Sequence, residues 1–260
     1  IAFGVALFLG ATELGEPLEL GGQILRDSTR TMSASGNIVI VAKDDRSAKQ
    51  LGALPWPRRY DAALIDKLRE MGAKTIAMDD GFTSMTNQTD DAALAGAFDR
   101  FGGKVWLNTI IERDGVTDKL FPDVQAPLFR TRTQQAHLMY WYNLFGQIRY
   151  LPESIKIRDV SSRSLAEILA DKGLISGYDT HDFEMRPRIN DISNFFSTGE
   201  LRPDFAIDFR TIPTISAIDI IKGNVDRSAI AGKIIMIGKT DETFATTTAI
   251  PWYGRVPVVY

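Results

Sequence analysis

The spacing of apolar positions changes period repeatedly along the chain. From Asn37 onward, short β-branched runs alternate with stretches whose apolar side chains recur every three or four residues. Ile38-Val39-Ile40-Val41-Ala42 is one such run, as expected for a strand buried on both faces, and acid follows it at Asp44-Asp45. Tyr60 to Gly72 carries Ala62, Ile65, Leu68 and Met71 at helical spacing, with Gly72 as the stop. Thr75-Ile76-Ala77-Met78 is a second buried strand and also ends in acid, at Asp79-Asp80. Asp90 to Phe101 is a second amphipathic helix through Leu94, Ala97, Phe98 and Phe101, with Asp90 as cap and Gly102-Gly103 as stop. Val105-Trp106-Leu107-Asn108 is the third strand. The ends of the second and third strands lie about 30 residues apart, the length of one β-α-β unit, which implies parallel pairing and a right-handed crossover.

The middle of the chain is less regular, with one predicted hairpin of His137–Tyr142 against Gln147–Leu151 through Gly146. Leu165, Ile168 and Leu169 then mark a helix, Phe205 to Phe209 a strand, Ile218 to Ile221 a helix stopped by Gly223, and Lys233 to Gly238 a last buried strand. Residues 173–203, with Asp182, Glu184, Arg186, Arg188, Asp191 and Glu200, read as a polar insertion over the core. The predicted fold class is α/β: a mainly parallel sheet with helices on both faces, plus an N-terminal juxtamembrane helix and an irregular insertion.

Ile1 to Ala11 is an apolar, uncharged run. A membrane helix needs roughly 20 such residues, so the run reads as the remnant of one, the competing reading being a buried segment of a soluble core. Leu18, Leu25 and Met32 recur every seven residues among Glu13, Glu16, Glu19, Arg26, Asp27 and Arg30. That pattern predicts an amphipathic helix lying on the domain or pairing with a second copy. The expected division is therefore 1–11, membrane-helix remnant; 12–36, juxtamembrane helix; 37–260, the α/β domain.

Composition narrows the functional classes. At 44% apolar and 24% charged the chain is that of an ordinary globular protein, and 30 Lys+Arg against 33 Asp+Glu leave a net charge of −3. No excess of positive charge exists to neutralise a phosphate backbone, so nucleic acid is not expected as a partner. The absence of Cys removes thiolate chemistry, and with two His any metal would rest on carboxylates. Gly238-Lys239-Thr240 resembles the tail of a phosphate-binding loop, but position 233 is Lys where that motif has Gly. Asp79 and Asp80 point to opposite faces of an extended strand and would not share one Mg²⁺. No nucleophile elbow occurs, so no catalytic residue and no cofactor is assigned. The most distinctive string is Leu54-Pro55-Trp56-Pro57-Arg58-Arg59, stiffened by its prolines. Either Trp56 plugs the sheet edge while Arg58 pairs with Asp44 or Asp79, or Arg58 faces a ligand.

Three segments together, Asn37 to Ser47, Pro55-Trp56-Pro57-Arg58-Arg59, and Ala73 to Asp79 with Phe82, resemble the second family of CHASE sensor domains (CHASE type 2). Phe205 to Phe209, Ser216 to Gly223 and Gly232 to Thr240 match in the same order, so the similarity spans roughly residues 20–260. The resemblance implies an extracytoplasmic input module of a bacterial receptor, with a membrane helix before it and membrane helices and a cytoplasmic output module after it. It implies a periplasmic location, a homodimer, and an unknown small-molecule or protein signal. The ending Ile250 to Tyr260 is most similar to members linked to GGDEF and EAL modules, which turn over cyclic di-GMP; a nucleotide cyclase or kinase output is the alternative. In an α/β sheet a ligand is expected at the carboxyl ends of the strands. Asp44, Asp45, Trp56, Arg58, Asp79, Asp80, Lys239, Thr240 and Asp241 are the candidate binding residues, with Asp79–Arg58 as the central pairing. Three other readings stay open: an internal salt-bridge network, a metal-dependent hydrolase using Asp79 and Asp45, and a dimerisation or partner-protein module without a small ligand.

Overall fold

The computed structural model describes residues 16–113, 120–142, 148–171, 195–199, 201, 203–241, 243, 245–250 and 254–257. Helix α1 (Glu16–Ser28) and strand β1 (Met32–Ser33) lead into β2 (Ile38–Lys43), α2 (Asp45–Leu51), α3 (Arg58–Glu70), β3 (Thr75–Met78), α4 (Gln88–Phe101) and β4 (Val105–Asn108). Next come β5 (Ile110–Arg113), β6 (Leu120–Asp123), α5 (Pro127–Arg130), β7 (Gln134–Ala136), β8 (Trp141–Tyr142), β9 (Ile148–Tyr150), β10 (Ser154–Ile157), β11 (Val160–Arg163), α6 (Leu165–Asp171) and β12 (Phe195–Thr198). The chain continues through β13 (Ile207–Asp208), β14 (Thr214–Ser216), α7 (Ala217–Ile221), β15 (Ile234–Lys239), β16 (Thr247–Ile250) and β17 (Gly254–Pro257).

Six strands form the central sheet in the order β14-β2-β15-β3-β4-β7, and every pairing in it is parallel. The β-branched runs supply both of its faces. Val39, Val41, Ile76, Met78, Val105, Leu107, Ile235 and Ile237 alternate onto one face, where they pack with α3, α4 and α7. There Leu64, Ile65, Leu68, Leu94 and Phe98 are wholly buried, each contributing roughly 1.5–3 kcal/mol by removal from water. Phe98 meets Phe129 of α5 edge-on, with ring centroids 6.0 Å apart. The intervening residues Ala77, Trp106 and Ile234 point to the opposite face, against Leu165, Ile168 and Leu169 of α6. Helices thus cover both faces, and the fold is α/β as the periodicity predicts. The remaining strands make small satellites: the three-stranded antiparallel β11-β10-β12, the antiparallel pairs β5-β6, β8-β9 and β16-β17, and the short parallel pair β1-β13.

Several local expectations change. The strand predicted over Phe205–Phe209 shrinks to Ile207–Asp208 and pairs with β1 rather than joining the main sheet. The Asp208 carboxylate accepts from the Arg210 N–H and turns the chain into a single 3₁₀ turn. The edge strand is instead β14, whose three residues follow Pro213 and are too few to show a period. Helix α4 begins at Gln88, because Asn87 Oδ1 accepts from the N–H groups of Thr89 and Asp90 and takes the cap expected of Asp90. The predicted hairpin narrows to Trp141–Tyr142 against Ile148–Tyr150, while His137 bridges Ser164. The apolar run 1–11 and residues 173–194, 200 and 202 of the predicted insertion lie outside the described residues. Among the described residues no helix is long and apolar enough to cross a membrane.

Candidate functional site

Parallel pairing sets the carboxyl ends of β2, β15, β3 and β4 side by side on one rim. Lys239 is level with Lys43 across the β2–β15 ladder, and Ile237 is level with Met78, the residue before Asp79-Asp80. Lys43, only 3% exposed, sits at the centre: its Nζ is 2.7 Å from Asp61 Oδ1 on α3 and 2.6 Å from Asp80 Oδ2. The other oxygen of Asp80 lies 3.1 Å from Lys239 Nζ, so one carboxylate bridges two ammonium groups. Asp79 accepts a 3.0 Å hydrogen bond from Asn108 Nδ2.

The titration behaviour follows from this geometry. Burial disfavours the Lys43 cation, but Asp61 and Asp80 outweigh it and hold the pKa above the usual lysine value. Burial likewise works against the Asp80 anion, yet Lys43 and Lys239 prevail and bring its pKa down to about 2. At Asp61 burial wins and the pKa is raised in spite of Lys43. Asp79 is also raised, by burial first and by the neighbouring Asp80 charge second.

The other predicted site residues have different partners. Arg58 does not reach Asp79 or Asp44. It pairs with Asp91 in the first turn of α4 at 2.5 Å, donates to the Ser84 carbonyl, and lies over the rings of Phe82 and Phe129 at 5.4 and 4.9 Å. Asp91 also accepts from the Thr86 N–H at 2.9 Å, so the pair fastens the loop after β3 to α4. The central pairing expected from sequence is therefore corrected: Asp79 is held by Asn108, and Arg58 braces Asp91 and the Ser84 carbonyl. Trp56 is buried in the main core, donates from Nε1 to the Gly52 carbonyl at 2.9 Å, and has Lys43 Nζ 5.6 Å from its ring centre. Asp44 caps α2, accepting from Ser47 N–H at 2.9 Å and from the hydroxyls of Ser47 and Ser216 at 2.7 and 2.8 Å. Asp45 is exposed in the first turn of that helix. Thr240 donates its N–H to the Lys43 carbonyl at 3.2 Å, and Asp241 is buried with its carbonyl bonded to Ala245 N–H.

The rim thus brings together Asp79, Asp80 and Lys239 of the predicted set and adds Lys43, Asp61 and Asn108. Asp61 left a signal in the sequence: it lies one helical turn before Ile65 on the apolar side of α3, where a charge needs a buried partner. Among the described residues no group of three or more acids and histidines is placed to hold a metal ion. The rim carboxylates face ammonium groups and an amide instead.

A second feature lies on the opposite face of the sheet, a cavity of about 470 Å³. Its floor is Ile38, Ile40 and Met236, one side is Leu165 and Leu169 of α6, and another is Thr248, Val256 and Pro257 of the β16–β17 pair. Ala34, Ser35 and Gly36, which follow β1, close a further side. His137 and Tyr140 also reach it. His137 Nδ1 accepts from the Met139 N–H at 3.2 Å, which leaves the ring proton on Nε2, and burial lowers the pKa to about 4. The imidazole is neutral at ordinary pH. Burial and the adjacent Tyr142 hydroxyl likewise raise the Tyr140 pKa and keep that phenol protonated.

Neither a curated protein nor a solved structure matches the chain. The description of the CHASE2 domain family matches residues 2–260. On this match, which spans nearly the whole chain, the chain belongs to the CHASE2 family of extracytoplasmic sensor domains.

Proposed function

We propose that this domain is the periplasmic input of an inner-membrane receptor, does no chemistry itself, and sets the activity of a cytoplasmic output module that makes or degrades cyclic di-GMP. One observation carries the reading. Residues 34–36 and 256–257, from near the two extremities of the described chain, line the same cavity. An occupant that fits one arrangement of these segments better than another shifts the balance between them by its differential affinity. A hundredfold preference corresponds to about 2.7 kcal/mol, within the range of ordinary allosteric coupling. In this reading α1 is the juxtamembrane helix. Leu25 in α1 and Met32 after it, 69% and 45% exposed, offer a seven-residue apolar spacing that suits pairing with a second copy.

The test uses the full-length receptor in cells. Ala166→Phe narrows the cavity from α6 at a half-buried position. At equal membrane abundance the variant is expected to change cellular cyclic di-GMP at least threefold relative to the parent. An unchanged level at equal abundance overturns the proposal.

A further inference from the structure

We infer that the cavity on the α6 side of the sheet is a binding site for a small, uncharged, mainly apolar molecule bearing one hydrogen-bonding group. The inference rests on the sensory reading for its biological meaning and deepens it by naming the ligand class. At about 470 Å³ the space is of the size that holds small ligands, whereas native interiors are otherwise packed nearly without voids. Its walls are aliphatic, chiefly Ile38, Ile40, Leu165, Leu169 and Met236.

The polar component is specific. Thr248 is 3% exposed and lines the cavity, with its hydroxyl beside that of Tyr140. A hydroxyl has one donor and two acceptor positions, so this pair keeps capacity for one further hydrogen bond to a ligand hydroxyl or carbonyl. Tyr140 lines the cavity too, and its phenol stays neutral. Charge is disfavoured. Among the described residues the lining contains no Lys or Arg, and its one carboxylate, Asp204, is engaged by Arg30 at 3.1 Å and by the Ala206 N–H at 3.0 Å. An anion entering would therefore lose its hydration without meeting a cation, and a cation would meet only a carboxylate that is already paired.

The experiment titrates the purified 260-residue chain with N-phenyl-1-naphthylamine, a neutral fluorophore, and then displaces it with 1-octanol, octanoate and octylammonium. Saturable one-to-one binding is expected, with octanol displacing the probe at least tenfold more effectively than either charged analogue. Thr248→Val, nearly the same shape without the hydroxyl, is expected to weaken octanol about three- to tenfold while leaving the probe within twofold. Ala166→Trp is expected to abolish saturable probe binding; if that variant fails to fold, Thr248→Val still decides. Absence of saturable binding overturns the inference, as does better displacement by a charged analogue or an unchanged octanol affinity in Thr248→Val. Saturable binding with no change of output in the receptor experiment overturns the sensory reading and leaves the site standing. A change of output without binding overturns the site alone.

Discussion

Lys43 is the last residue of β2, a place where a lysine ordinarily reaches into solvent. Here it is enclosed, and its ammonium is shared by Asp61 from α3 and Asp80 after β3. Lys239 closes the arrangement through the second oxygen of Asp80. Such a cluster is stable as a unit and fragile in its parts, because removing one charge strands the others in a medium that solvates them poorly. Lys43→Met is therefore expected to destabilise the domain by about 3–5 kcal/mol in urea denaturation, and Lys43→Met with Asp61→Leu by clearly less, since the second change removes one of the stranded carboxylates. Equal destabilisation in the two proteins would show that the cost lies in packing. The acids after β3 and the lysine of β15 were visible in sequence as rim residues, because strands ending in charge stand out from their apolar runs. Their partners were not, since Lys43 and Asp61 meet only when α3 crosses back over the sheet.

At the scale of elements, Asp44 shows how a residue that reads as a binding acid serves structure. Its carboxylate caps α2 and receives the hydroxyls of Ser47 and of Ser216, the last residue of β14, while Ser47 Oγ accepts from the Ile218 N–H of α7. One carboxylate thereby ties α2 to the sheet edge. Asp44→Ala is expected to cost about 1–2 kcal/mol of stability in urea denaturation and to leave fluorophore binding within twofold, because Asp44 does not line the cavity. Altered binding would show that the two faces of the sheet are coupled. The helices and strands with strong periods, α3, α4, β2, β3, β4 and β15, were legible from spacing alone. The weak points were β13 and β14: Phe205 to Phe209 looked apolar enough for a strand, but an Asp208 cap broke it, and β14 forms only because an exposed edge of β2 lies beside it.

The whole molecule responds to pH as a sum of opposing groups. His137 is held neutral, with a folded pKa of about 4 against an ordinary 6.5. Its contribution is present in full above pH 6.5 and is lost as the pH falls toward 4, because the unfolded chain takes up a proton that the folded chain refuses. Asp80 acts in the same sense at lower pH: its contribution is present above 3.8 and lost as the pH falls toward 2. Asp61 and Asp79, with raised values, work in the opposite sense by binding protons more readily when folded. His137→Gln is expected to flatten the fall in stability between pH 6.5 and 4, by up to about 3 kcal/mol at the lower end, in urea denaturation at successive pH values. An unchanged slope would show that His137 is not the group responsible.

Sequence alone determined the parallel α/β class, the strand-end charges and the family resemblance, because each rests on local period or short strings. Only the tertiary structure decided that Arg58 braces Asp91, that Lys43 and Asp61 join Asp80, and that the cavity lies on the other face of the sheet from the main core's helices. Those outcomes depend on which distant segments share a face. Alternating side chains state that a strand has two buried faces, but they do not say how fully each face is filled.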